Sequence, residues 1–144
     1  MATPQTFENH AKFVPGYHIV AFGILVINLF WCLYSIAHAF SAQAVISLLL
    51  SVGFLLMFFY ARIFAMTVQD RVIRLEMQLR LQQVLPVDLR SRIPEFSVAQ
   101  LIALRFASDQ ELPGLARKVL DGNIQDRKTI KRMVQDWQPD LLRA

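Results

Sequence analysis

The stretch FVPGYHIVAFGILVINLFWCLYSIAHAFSAQAVISLLLSVGFLLMFFYA, residues 13–61, contains no Asp, Glu, Lys or Arg. A soluble domain carries about 25% charged residues. This chain carries 18%, with 55% apolar, and the shortfall is concentrated in that run. Of 15 basic residues only Lys12 precedes Arg62, and of 11 acidic residues only Glu8 does. The composition excludes a wholly soluble globular protein and a disordered chain. The lone cysteine, Cys32, excludes a disulfide framework and a cysteine-based metal site.

A helix needs about 20 apolar residues to cross ~30 Å of hydrocarbon. The uncharged run holds two such spans, 17–37 and 42–61, with a tight turn at His38-Ala39-Phe40-Ser41. Pro15-Gly16 punctuates the start of the first span, and Ser41 is placed to cap the second. Ala37-His38-Ala39 resembles a signal-peptide cleavage site. The apolar stretch is longer than a signal core, however, and Lys12 is offset by Glu8, so a retained hairpin is expected. Arg62, Arg71, Arg74 and Arg80 follow the second span, and the turn carries no charge. The positive-inside rule then puts both termini in the cytoplasm and the turn outside.

Residue pairs summing to 79 sit at equal depth if the turn centres between Ala39 and Phe40. Asn28 then faces Ser51, and Cys32 faces Ser47, a candidate set of interhelix contacts. Asn28 as part of a ligand or proton site is the alternative, but a relay lacks support without charged residues in the spans. His18 and His38 invite a haem or pigment reading. Twenty residues apart, about 30 Å on one helix, they cannot clamp one haem within a monomer. Interfacial side chains are the preferred reading, a single axial ligand the alternative, and no cofactor is expected.

No Pro or Gly occurs from Phe54 to Leu85, so the second span should continue into the cytoplasm as a helical stalk, 62–85, until Pro86 ends it. Asp70–Arg74 and Glu76–Arg80 are i,i+4 pairs that favour helix. The stalk is apolar on two sides. Val68, Val72, Leu75 and Leu79 form one stripe; Ile73, Met77, Leu81 and Val84 form another, roughly opposite. Two stripes suggest two neighbours, the chain's own C-terminal helices and a partner. The second stripe, Ile73 to Val84, is taken as partner-facing. One small intramolecular core is the competing reading, and a free-standing coiled coil is disfavoured because the heptads last under three repeats.

Residues 87–144 read as a small domain of short helices, with 1–16 as an N-terminal segment. Ser97-x-x-Gln100 and Ser108-x-x-Glu111 are capping boxes. Pro113 falls in the first turns of the helix after the second box, and Gly122 marks its end. Asp126 caps a last helix expected to carry Ile130, Met133, Val134 and Trp137 up to Pro139. Helices over Ser97–Phe106 and Asp109–Leu120 mimic a helix-turn-helix, but Asp109 and Glu111 lead the second where phosphate would approach, so nucleic acid is disfavoured. Arg127, Lys128, Lys131 and Arg132 form a candidate basic face, for which a solvated surface is the preferred reading over anionic lipid. From Arg62 onward there is no His or Cys, no phosphate loop and no nucleophile elbow, and an enzyme is not expected.

Val68-Gln-Asp-Arg-Val-Ile-Arg-Leu75, Leu101-Ile-Ala-Leu-Arg-Phe-Ala-Ser-Asp109, Glu111-Leu-Pro113, Ile130-Lys131 and Asp136-Trp-Gln-Pro-Asp140, with Asn9-His10 and Asn28, carry a resemblance over essentially the whole chain. It resembles a family of small bacterial two-helix membrane proteins known only as a domain of unknown function. The resemblance implies the architecture and no activity.

The expectation is an all-α membrane protein: a two-span hairpin, 17–61, whose second helix extends into a cytoplasmic domain of short helices. Its expected role is a non-catalytic accessory or scaffolding subunit of a larger inner-membrane complex. Its partners would be the lipid bilayer and other membrane subunits or a second copy. The alternatives are a membrane-tethered regulatory module for a soluble protein or nucleic acid, and a haem- or pigment-holding subunit.

Overall fold

The computed structural model describes residues 13–140. Asn9 and His10 lie outside the described residues, as do most of the expected N-terminal segment and the last four positions. Among the described residues the chain is all helical. A π-helical segment, Gly16–Ala21, leads into α1, Phe22–His38; α2 follows over Ala42–Val84, then α3, Val87–Arg90. A 3-10 turn at Ile93–Glu95 precedes α4, Val98–Leu104; α5, Leu112–Asp121; and α6, Arg127–Met133. These residues divide into two compact units, one ending at Met66 and the other beginning at Thr67, both inside α2.

In the first unit, Pro15 stands at the helix start, where its missing N–H would have had no partner. Ser41 Oγ accepts from Ala44 N at 3.2 Å and opens α2 as the sequence predicts. Both helices are long and apolar enough to cross a membrane, and only 6% of the most apolar window of each is buried. Cys32 is the buried residue of α1, with Leu25, Leu29 and Ile36 among the half-buried; in this part of α2 Ala44 and Ser51 are buried, with Leu48, Leu55 and Phe58 among the half-buried. Both sets step by 3 and 4, the spacing of a two-helix seam.

In the second unit, the part of α2 from Thr67 onward shares one core with the short helices. Ile73, Met77, Leu81 and Leu85 are buried against Leu89, Ile93, Leu101, Leu104, Leu112 and Ile130, among others. Two of the short helices, α4 and α6, are capped at their starts by the side chains of Ser97 and Asp126, which matters because such helices are not stable alone. Ser97 Oγ accepts from Gln100 N at 3.2 Å, and Gln100 Oε1 accepts from Ser97 N at 2.8 Å, completing the first capping box. Gln100 is buried and also donates to the Ile124 carbonyl at 3.0 Å.

Helix α5 ends in a Schellman arrangement. Ile124 N donates to Val119 O at 3.0 Å and Asn123 N to Leu120 O at 3.1 Å. Asn123, at φ 45°, takes the left-handed position that glycine usually fills. Gly122 is needed for space, since a Cβ there would lie 2.9 Å from the Lys118 carbonyl oxygen.

Two local expectations are corrected. The second capping box forms by half: Ser108 Oγ accepts from Glu111 N at 3.3 Å, but the Glu111 carboxylate accepts instead from Gln135 N and Asp136 N, each at 2.9 Å. Those bonds hold the backbone extended where a longer last helix was expected. Asp126 caps α6 through Thr129 N at 2.8 Å, yet α6 stops at Met133 and Val134 is already extended. Trp137 therefore sits in an isolated antiparallel bridge with Ala107. Gln138 N donates to Phe106 O at 2.7 Å and Ser108 N to Asp136 O at 3.1 Å.

Candidate functional site

The two stripes of α2 have opposite fates. At 100° per residue they lie on opposite sides of the helix. Ile73 is 5%, Met77 3% and Leu81 0% exposed, with Val84 partly buried on the same core. Val68, Val72, Leu75 and Leu79 are 61%, 47%, 62% and 62% exposed. The assignment of Ile73, Met77, Leu81 and Val84 to a partner is therefore corrected: these residues form the chain's own core, and the other stripe is open. The sequence held a signal for this. The buried stripe continues as Leu85 to the Pro86 turn, where the chain folds back. The open stripe runs out into Gln82 and Gln83 before that turn.

Arg80 locks α2 into this unit. Its Nε donates to Asp109 Oδ1 at 2.8 Å, Nη1 to the Arg105 carbonyl at 3.0 Å and Nη2 to the Ala107 carbonyl at 2.7 Å. The planar fork thus satisfies carbonyls that the end of α4 leaves without helical partners. Spacing alone had assigned Arg80 to Glu76. The neighbouring Phe106 ring is fully buried, stacked on Trp137 at 4.4 Å, with the Arg105 guanidinium 4.5 Å and Lys131 Nζ 5.0 Å from its centroid. Arg105 also pairs with Asp140 at 3.1 Å. A cavity of about 280 Å³ beside these groups is lined by Ile73, Glu76, Met77, Arg80, Arg105 and Asp140, among others. Arg80 and Arg105 both engage the chain's own acids there, which leaves a poor site for an added anion.

The basic face of α6 is not one surface. Lys131 lies over the Phe106 ring, and Arg127 reaches Asp70 at 3.8 Å. Lys128 and Arg132 are exposed. Asp126, at the start of the same helix, has its carboxyl held below the ordinary range, chiefly by the Thr129 hydroxyl and then by Thr129 N–H. Arg117 pairs with Asp88 at 2.6 Å, and Arg92 with Asp121 at 2.8 Å and Glu95 at 3.1 Å. All are surface pairs that contribute little, being screened by solvent.

In the first unit the expected polar groups are placed as follows. Cys32 and Ser47 line one cavity of about 420 Å³ with Trp31, Ser35 and His38, near the turn. The Asn28–Ser51 contact does not form. Asn28 is exposed, and its Oδ1 accepts from Cys32 Sγ at 3.8 Å on its own helix. Ser51 is 2% exposed, and its hydroxyl has no partner. Asn28 lies at the edge of the packed side, one turn before Cys32, and its amide is engaged by that thiol on the same helix. Tyr17, which the sequence reading passed over, clasps the two helices instead. Its ring stacks on Phe58 at 4.1 Å and its hydroxyl donates to the Phe58 carbonyl at 2.7 Å.

His18 Nδ1 lies 3.0 Å from the Val14 carbonyl, and His38 Nδ1 lies 3.0 Å from the Tyr34 carbonyl, its ring stacked on Tyr34 at 4.0 Å. Both imidazoles are engaged at opposite ends of the first helix. No group of three or more His, Cys, Asp or Glu suited to a metal occurs among the described residues.

Neither the curated proteins nor the solved structures contain a match to this chain. A family described as a family of unknown function matches residues 1–144, and the chain belongs to that family, DUF6526.

Proposed function

We propose that the protein is a non-catalytic accessory or scaffolding subunit of a bacterial inner-membrane complex, with both termini in the cytoplasm. One observation carries the reading. The unit beginning at Thr67 has a complete core of its own, yet α2 leaves Val68, Val72, Leu75 and Leu79 about half exposed or more. Each such side chain is worth ~1.5–3 kcal/mol when fully buried, so a contiguous row in water implies a covering surface. Membrane insertion is supported by the two apolar helices and their outward Ile24, Ile27, Phe30 and Trp31, all at least 62% exposed. Asn28 adds an exposed polar group, of the kind that bonds between helices in lipid.

The tethered-module alternative draws less support, because Arg127 and Lys131 of its basic face turn to Asp70 and Phe106. Purification of the full chain in mild detergent tests the proposal. Other membrane chains in fixed proportion, or a multimer of this chain, are expected in the same peak. A lone monomer in the detergent peak, or a chain bound only to a soluble protein, would reject it.

A further inference from the structure

We propose that the occupant of the open stripe is a second copy of this chain, paired in parallel along α2; this rests on the membrane reading above. The stripe steps 4, 3, 4 through Val68, Val72, Leu75 and Leu79, the a/d rhythm of a two-stranded coil with Val72 and Leu79 at a and Val68 and Leu75 at d. On that register Arg71 takes the g position on one flank, and Glu76 the e position on the other. In a parallel, in-register pair each g residue meets the e residue five positions on in the other helix. Arg71 of one copy therefore meets Glu76 of the second, twice by symmetry.

Both residues are exposed, whereas other charges of the same unit, Asp70, Arg80, Asp109 and Arg127 among them, are drawn into ion pairs within the chain. The flanks are thus complementary to themselves in one orientation. Two copies inserted with the same topology have that orientation fixed for them, and confinement to a bilayer raises their effective concentration. That matters for a seam of only two heptads. The opposite side of α2 is filled by the chain's own core, so each copy offers one helix face and the assembly closes at two.

Cysteine cross-linking of the full chain in its native membrane tests this, in a Cys32→Ala background, after alkaline carbonate extraction. Val72→Cys and Leu79→Cys should give a disulfide-linked dimer under mild oxidation, and Arg74→Cys, off the seam, should not. Adding Arg71→Glu to Val72→Cys should lower the dimer yield by about tenfold, because symmetry turns two attractive pairs repulsive at once. The further change Glu76→Arg should restore most of it. Linkage to a different protein, equal linkage from Arg74→Cys, or no rescue by the charge swap overturns the proposal. Extraction of the chain by carbonate would instead overturn the membrane reading, and the two failures are told apart in one preparation.

Discussion

Arg80 Nη2 lies 2.7 Å from the carbonyl oxygen of Ala107, tying the C-terminal end of a long helix to the loop that follows α4. With its bonds to Arg105 O and Asp109, it makes one side chain answer for both the end of α4 and the docking of that helix on α2. Arg80→Ala should destabilise the protein by about 2 kcal/mol, the range for a charged donor lost from partly buried acceptors. Asp109→Ala should cost under ~1 kcal/mol, because its carboxylate is 66% exposed. Denaturant unfolding of both variants in detergent checks the ratio.

The stripes should respond differently to truncation. Leu81→Ala removes a side chain that is 0% exposed and should cost ~2–5 kcal/mol. Leu79→Ala, two residues earlier and 62% exposed, should stay within about 0.5 kcal/mol in the isolated chain. Similar losses for the two, measured by thermal unfolding, would contradict the burial described.

The buried hydroxyl of Ser51 has no partner. Ser51→Ala should therefore be neutral or stabilise the helix pair by about 1 kcal/mol. Tyr17→Phe, which keeps the stack on Phe58 and removes the hydrogen bond, should weaken it by about 1 kcal/mol. Steric trapping or reversible unfolding in mixed micelles reads both, and a marked loss on Ser51→Ala would show a missed partner.

The start of α6 should be sensitive to acid. Asp126 has its pKa lowered in the fold by the Thr129 hydroxyl and N–H. The folded state thus binds fewer protons than the unfolded chain, and the cap's contribution is present above the ordinary carboxylate pKa. It is lost as pH falls through the lower, folded value. Asp126→Asn, which caps without a charge, should flatten that part of the stability–pH curve. Amide exchange of α6 measured across acid pH checks it.

The hairpin arrangement was legible because charge, length and turn chemistry agree over residues 13–61, and Ser41 caps α2 where the pattern placed it. The first box, Gln100 and the Asp126 cap were legible for the same reason: a cap is decided within four residues. Features decided by distant partners were not. Glu111 bonds 24 residues away, Arg80 reaches 27 residues to Ala107, and neither contact leaves a mark in local spacing. Asn28 was misplaced because equal depth does not decide which way a side chain turns; its spacing from Leu25 and Cys32 fits the seam, yet it is exposed and bonds to Cys32 on its own helix. Both apolar stripes of α2 were visible, but which one meets the chain's own helices depends on where the fold returns after Pro86.

One comparison bears most directly on the open stripe as the working surface of this protein. Leu75→Lys and Met77→Lys place the same charge two residues apart, on opposite sides of α2. The intact chain is purified from its membrane in mild detergent and assayed for both folding and assembly size. Leu75→Lys should remain as folded as the wild type and fall to a lone chain, while Met77→Lys, whose site is 3% exposed, should unfold the unit. Equal unfolding by both, or an unchanged assembly with Leu75→Lys, would contradict the open stripe as an interaction surface.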